Sequence, residues 1–288
     1  MRVPDAGNYC YMHFGRELVH GHRNKLSINA YAKGGWFVRN VMGGYGSNFK
    51  NFLETIASST SIMIDGANPD ADTGELIYQR SGKGWEAAAA REVGAYKDVE
   101  HERALVQTKE ALIVIDRCQA SKEHRYDWLY HTSLTRLSLA TEGRKESKAE
   151  RFGESVLYES LHPTGKFDLP TQAVLKRPDG SGLRILFAGK GELLSFKALR
   201  KTDGLLWRKK GKTTSFACVY LPYAKDEEVT GSIAPLKVTD AAGKGVGLEM
   251  GQAFEVKTPG GVLTVLVNYA GKELRCGNLS GKERVMVE

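Results

Sequence analysis

His20-Gly21-His22-Arg23-Asn24-Lys25-Leu26-Ser27 runs directly into Ile28-Asn29-Ala30-Tyr31, where apolar and polar residues alternate. A period of two marks a half-buried strand, because successive side chains point to opposite faces. Lys33-Gly34-Gly35 follows as a hairpin turn, and Trp36-Phe37-Val38-Arg39-Asn40 returns as the next strand. Gly43-Gly44-Tyr45-Gly46-Ser47 reads as a loop, and Ser61-Ile62-Met63-Ile64 as a short strand ending in the Asp65-Gly66 turn.

The same grammar continues along the chain. Strands are expected at 111–115, 126–131, 172–176, 183–188, 215–221, 253–257, 262–267 and 284–287, with turn residues between them. Trp85 to Val93 (WEAAAAREV) is rich in helix formers, yet its place between strands assigns it to a strand. Phe49 to Ala57 is expected to form a short helix or loop. The fold class that emerges is all-β, an antiparallel β-sandwich of many strands with few short helices. Residues 1–140 form its first part and carry the His-Gly-His segment. Residues 141–288 supply the remaining strands or a smaller C-terminal β subdomain, with a charged run at 142–151 between the two parts.

Composition narrows the function classes. Of the 288 residues 41% are hydrophobic and 26% charged, as in soluble globular chains. Glycine (32 residues) far outnumbers proline (8), so turns lean on positive-φ glycines. A net charge of +7 favours an anionic partner. Arg200-Lys201 and Arg208 to Lys212 are expected to be solvated loops. No RNA-binding aromatic motif or helix-turn-helix pattern appears, which demotes nucleic acid as a partner. The four cysteines form no Cys-X-X-Cys pair, and Cys118 and Cys218 sit in apolar runs as expected buried thiols. No apolar run reaches a membrane-spanning length, and the first residues do not read as a signal peptide.

The chemistry-bearing candidates are few. His20 and His22 fall on one face if the backbone is extended, which suits a shared polar site, metal ligation or proton transfer. Tyr45, flanked by glycines, is placed to reach into a cleft. Trp128 and Tyr130 share a strand face opposite His131 and are expected to pack in the core. Ser58-Ser59-Thr60-Ser61 lacks a nucleophile elbow and reads as a turn or polar strand end.

Together, His20-Gly21-His22 with Asn24, Tyr31-Ala32-Lys33-Gly34-Gly35-Trp36-Phe37, Gly44-Tyr45 and Ile62-Met63-Ile64-Asp65-Gly66 resemble the heparinase II/III-like polysaccharide lyases, including related alginate lyases. Downstream, Tyr96 with Arg103, Val114-Ile115-Asp116 and Trp128 to His131 fit the same pattern. The part resembled is that family's carboxy-terminal antiparallel β-sandwich, which implies β-elimination on a uronic-acid-containing polysaccharide of the alginate or heparan sulfate type. His20 would transfer the proton or neutralise the carboxylate, and Asn24 and Tyr45 would contact substrate. Family members resemble one another in an α/α toroid that precedes the sandwich and supplies further catalytic groups. The chain is therefore expected to be incomplete without such a domain or chain, and periplasmic or secreted if part of a longer exported protein. In zinc-containing members three ligand positions correspond here to His22, Asn40 and Ser59. Amide and hydroxyl groups are poor zinc ligands, so no cofactor is expected and a degenerate zinc position is left at His22. The alternative is a noncatalytic acidic-glycan-binding or structural β-sandwich module.

Overall fold

The structure is a computed structural model that describes residues 1, 7–15, 23–41, 50–70, 74–132, 138–140, 152–168, 172–198 and 202–288. Three strands open it: β1 (Tyr9–His13), β2 (Ser27–Ala32) and β3 (Gly35–Val38). A single helical turn, α1 (Lys50–Leu53), and a 3-10 turn at Ile56–Ser58 precede β4 (Ile62–Ile64). Next come β5 (Glu75–Gly82), β6 (Trp85–Tyr96), β7 (Val99–Thr108), β8 (Leu112–His131) and β9 (Ser138–Ala140). A 3-10 turn at Val156–Tyr158 leads to β10 (Leu161–Asp168), β11 (Gln172–Lys176), β12 (Gly182–Ala188), β13 (Glu192–Ala198) and β14 (Asp203–Tyr223). The last seven are β15 (Ser232–Leu236), β16 (Thr239–Asp240), β17 (Gly251–Thr258), β18 (Gly261–Asn268), β19 (Leu274–Cys276), β20 (Leu279–Gly281) and β21 (Val285–Val287).

All pairing between these strands is antiparallel, and the fold is the expected all-β sandwich. A central 11-stranded sheet runs β5-β6-β7-β8-β14-β12-β11-β9, with β4, β10 and β13 attached to it. Its spine is the pairing of β8 with β14, whose register shifts once, between Gly211 and Thr213. Because β8 ends before residue 140 and β14 lies beyond it, one sheet crosses that boundary.

Each face of this sheet is covered by a smaller one. Alternation along β8 sends Leu112, Val114 and Cys118 to one face and Ile113 and Ile115 to the other. On the first face, Ile28, Ala30, Phe37 and Val38 of the β1-β2-β3 sheet pack into the core with Trp128, Tyr130, Trp207 and Tyr220. On the second, Ala87, Ala89, Ala104 and Val106 meet Val256, Val265, Val267 and Val285 of the β15-β17-β18-β21 sheet. The alanine run Ala87–Ala90 thus forms strand β6, paired with β5 and β7 on either side. Tertiary pairing overrides its helix propensity, and its small side chains suit layers packed on both faces.

Several expectations meet their physical reason here. Lys33 and Gly34 both have positive φ (50° and 78°), which matches the twist of the β2–β3 hairpin. Trp128 and Tyr130 are fully buried and stacked, with ring centroids 6.4 Å apart. All four cysteines are free and buried. The basic run from Arg208 to Lys212 is not a solvated loop but part of β14. Arg208 donates to the fully buried Asp127 from Nε (2.6 Å) and Nη2 (2.9 Å), and Lys209 lies over the Trp207 ring at 4.1 Å. The charge run is therefore partly structural, because β14 carries it across the centre of a sheet. Arg200, Lys201 and the 142–151 run lie outside the described residues.

Candidate functional site

The first expected site residue whose position is described is Asn24, at the end of the 23–41 stretch that leads into β2. His20, His22 and Tyr45 lie outside the described residues. The site is therefore built from the backbone that carries the motif into the sheet and from the groups that hold that backbone.

The Asn24 carbonyl accepts from the Ser27 N–H at 3.0 Å, closing a turn through Lys25 and Leu26. Leu26 is fully buried and has φ +52°, a conformation that a leucine adopts only where its surroundings impose it. Three side chains supply that constraint. The buried Lys25 ammonium donates to the Gly15 carbonyl (2.7 Å), the Ser61 hydroxyl to the Lys25 carbonyl (2.7 Å), and Arg103 Nη1 to the Leu26 carbonyl (2.6 Å). Just upstream, Arg23 is tied through its N–H to the Glu54 carbonyl and through Nη1 to the Pro69 carbonyl. Asn24 Oδ1 is shielded from solvent and has no hydrogen-bond partner among the described residues.

Asn40, distant in sequence from this turn, is brought beside it. Asn40 Nδ2 donates to Ser27 Oγ (3.0 Å), its Oδ1 accepts from the Thr60 N–H (2.9 Å), and its own N–H donates to Asn29 Oδ1 (3.0 Å). Both ends of the carboxamide are thus used to brace β2 against the segment entering β4. An aspartate could not reproduce the Nδ2 donor. Ser59 is buried, and among the described residues no group of three or more histidine, cysteine or acidic side chains converges as a metal site. Asn40 and Ser59 as arranged here do not fit a zinc centre.

Beneath the turn lies a buried charge network. Arg103 binds both oxygens of Asp116 (Nε to Oδ1 2.7 Å, Nη2 to Oδ2 2.9 Å), and its remaining Nη1 hydrogens reach the carbonyls of Leu26 and Thr60. His101 Nε2 lies 2.8 Å from Asp116 Oδ1, and its Nδ1 lies 3.7 Å from Glu92 Oε2. Burial pushes the Asp116 carboxyl up, but the Arg103 charge and the His101 hydrogen bond outweigh it and hold it below the usual range. For His101 burial pulls the imidazole down, and hydrogen bonds to Asp116 and Glu92 bring it above its ordinary value.

His131 answers differently. It is fully buried, with Nε2 2.8 Å from the Ala57 carbonyl, and burial pushes it down to about 4. It is a neutral core histidine, joined to the same region because its N–H donates to Thr60 Oγ1 (3.0 Å). The sequence points to Arg103 and Asp116 only through the family resemblance. Alternation gives no sign of them, because fully buried charges break the pattern that marks a strand face.

No protein-family model matches the sequence, and no curated protein matches it. Solved structures do. A heparinase III with methylated lysines superposes with a TM-score of 0.62 at 11% identity, over 91% of this chain and 38% of that one. A mutant heparan sulfate lyase of Pedobacter heparinus gives 0.62 at 14% identity, over 88% and 38% respectively. A further heparinase III structure gives 0.62 at 11%, over 91% and 39%. The chain thus spans about 38% of the length of the first of these structures. Among the described residues no helix is long and apolar enough to cross a membrane. What the chain shares with these structures, at this level of identity, is a distant heparinase-like fold.

Proposed function

We propose that this chain is the β-sandwich part of a polysaccharide lyase that cleaves a uronic-acid-containing polysaccharide by β-elimination, its site completed by an α/α toroid domain or chain. In that reaction a donor neutralises the uronate carboxylate, which acidifies the neighbouring C5–H. A base removes the C5 proton, the C4–O4 bond breaks as the C4–C5 double bond forms, and an acid delivers a proton to the departing O4. His20 is assigned the proton transfer or the carboxylate contact, and Asn24 and Tyr45 the substrate contacts. The observation that carries this reading is the bracing of the Asn24–Ser27 turn by Lys25, Ser61 and Arg103. A motif that must place an imidazole against a reacting carbon needs a rigid support behind it. The fold shared with lyases named for heparan sulfate supports the substrate class.

No zinc takes part in this reading, because both ends of the Asn40 amide are engaged within the chain. That same observation favours one alternative, a noncatalytic acidic-glycan-binding module descended from the enzyme. The test incubates the purified chain with heparan sulfate and with alginate, following binding by calorimetry and elimination by the ultraviolet absorbance of the unsaturated uronate. Binding that weakens in Asn24→Ala and His20→Ala, with little or no elimination by the chain alone, is expected. Elimination that appears on adding a toroid-bearing partner selects the lyase over the binding module. Failure to bind any polyuronate refutes both.

A further inference from the structure

The outer face of the β1-β2-β3 sheet carries an aromatic cluster to which the candidate site gives no role. Strand alternation turns Cys10, Ile28 and Ala30 inward to the core and Tyr9, Tyr11, Tyr31 and Trp36 outward. Tyr9 is 36% exposed and Tyr11 51%, so the cluster meets solvent. Tyr9 and Tyr31, directly paired across the strands, stack with centroids 5.0 Å apart and planes 12° apart. Trp36 meets Tyr9, Tyr11 and Tyr31 edge-on at 5.4, 6.3 and 5.7 Å. The Arg39 guanidinium lies over the Trp36 ring, 5.7 Å from its centroid.

The register shows where this face leads. Tyr9 lies opposite Tyr31, Tyr11 opposite Asn29, and His13 opposite Ser27. Asn29 Oδ1 and Ser27 Oγ accept from Asn40, and the Ser27 N–H donates to the Asn24 carbonyl in the turn that follows the His-Gly-His motif. Along β2 the next two residues on this face, Asn29 and Ser27, are buried under Asn40 and its neighbours, so the open platform ends at Tyr31 and Tyr11.

We infer that Tyr9, Tyr11, Tyr31, Trp36 and Arg39 form a sugar-binding subsite that holds a stretch of an acidic glycan on the outer face of the β1-β2-β3 sheet. This rests on the reading of the chain as part of a polyuronate lyase. Solvent-facing aromatic rings grouped on a small sheet are unfavourable unless a ligand covers them. A pyranose ring offers a matching partner, with C–H groups on its faces and hydroxyls around its rim. The tyrosine hydroxyls and the Trp36 indole can meet those hydroxyls, and Arg39 supplies a fork for a carboxylate or sulfate. No acidic side chain belongs to the cluster, and the +7 chain favours the same sign of ligand.

Calorimetric titration with a heparan sulfate disaccharide and octasaccharide, and with alginate oligomers of similar lengths, tests this. The proteins compared are wild type, Tyr9→Ala/Tyr11→Ala, Arg39→Gln and His20→Ala, each checked for native near-ultraviolet circular dichroism. The two tyrosines are exposed, so their loss leaves the core intact. Octasaccharide affinity is expected to fall about tenfold or more in the double tyrosine variant and in Arg39→Gln. Disaccharide affinity, if set by the motif end, falls only in His20→Ala. Unchanged octasaccharide affinity in both platform variants, alongside a loss in His20→Ala, overturns the subsite and leaves the proposed function standing. Absence of any acidic-oligosaccharide binding by wild type overturns both. A shift in oligomeric state in the tyrosine variant with affinity unchanged marks the face as a protein contact, and also overturns the subsite.

Discussion

Replacing Arg103 by methionine removes the group on which the turn after the motif depends. Arg103 and Asp116 are both fully buried, and two hydrogen bonds join them. Without the guanidinium, Asp116 keeps His101 alone as an ionic partner among the described residues. Breaking a buried ion pair from one side costs about 3–5 kcal/mol, because the remaining charge is left without compensation. The Thr60 carbonyl still accepts from the Ile28 N–H (3.3 Å), but the Leu26 carbonyl loses its donor among the described residues. That orphaned acceptor adds about 1 kcal/mol. Arg103→Met is therefore expected to lose about 4–6 kcal/mol, a large share of the roughly 5–15 kcal/mol that holds a domain together. Arg103→Met/Asp116→Leu removes both charges and is expected to recover about half of that loss, since a buried pair exchanged for apolar groups is often near neutral. Urea unfolding followed by tryptophan fluorescence measures both, because Trp128 and Trp207 are fully buried and report the opening of the core. A single variant within 1 kcal/mol of wild type, or a double variant no more stable than the single, would refute the reasoning.

Three further outcomes follow from burial, pH and backbone geometry. His131, pushed down to about 4 by burial, takes up its proton in the unfolded chain first. Stability from this group is therefore full above about pH 6.5 and lost as pH falls toward 4, on the order of 3 kcal/mol, and His131→Gln should flatten that limb of a pH–stability curve. Glu102 is pushed up to about 7, chiefly by burial, with Arg284 and Arg117 opposing. Its contribution is full below about pH 4.5 and lost as pH rises to 7, so Glu102→Gln should be the more stable protein at pH 8 and show no such gain at pH 4.5. Finally, Gly66 (φ +70°) and Gly34 (φ +78°) share a left-handed backbone, but only a Cβ at Gly66 meets neighbours, 2.9 Å from Ser155 Cβ and 3.0 Å from Tyr158. Gly34→Ala should cost about 1 kcal/mol and Gly66→Ala clearly more; equal midpoints in thermal unfolding would contradict this.

How far the sequence could be read follows from where side chains sit. β2 sends Ile28, Ala30 and Ala32 to the core and alternates cleanly, while β12 and β18 are near-continuous apolar runs with core on both faces, and both kinds of strand are legible. β8 reads as two strands, 111–115 and 126–131, because residues 119–123 between them are largely exposed and the pairing is interrupted there, with β7 leaving off at Ala120 and β14 passing from Gln119 to His124 across a bulge. β7 has no legible pattern, since His101, Glu102 and Arg103 are charged or polar yet buried, each beside an ionic partner on β8. At the site, the resemblance pointed to Asn40 and Ser59, and the structure shows why an amide is useful at the first: it must donate and accept at once. The aromatic face escapes a sequence reading because β1 contributes only two tyrosines, and their company with Tyr31 and Trp36 exists only after three strands have aligned.

The β8–β14 spine has a consequence for how the molecule is made. Its paired residues are on the order of a hundred positions apart in the chain, so closing that loop precedes any reward from the contact. As the chain leaves the ribosome, β8 can pair early with β7 and β4, but its other edge stays open until β14 has been synthesised. That edge holds Val114, Ile115 and Cys118 in a strongly apolar run, the kind of exposed template that recruits other chains. Slow folding and an edge left open during synthesis are thus built into the same long strand pair that unites the finished sandwich.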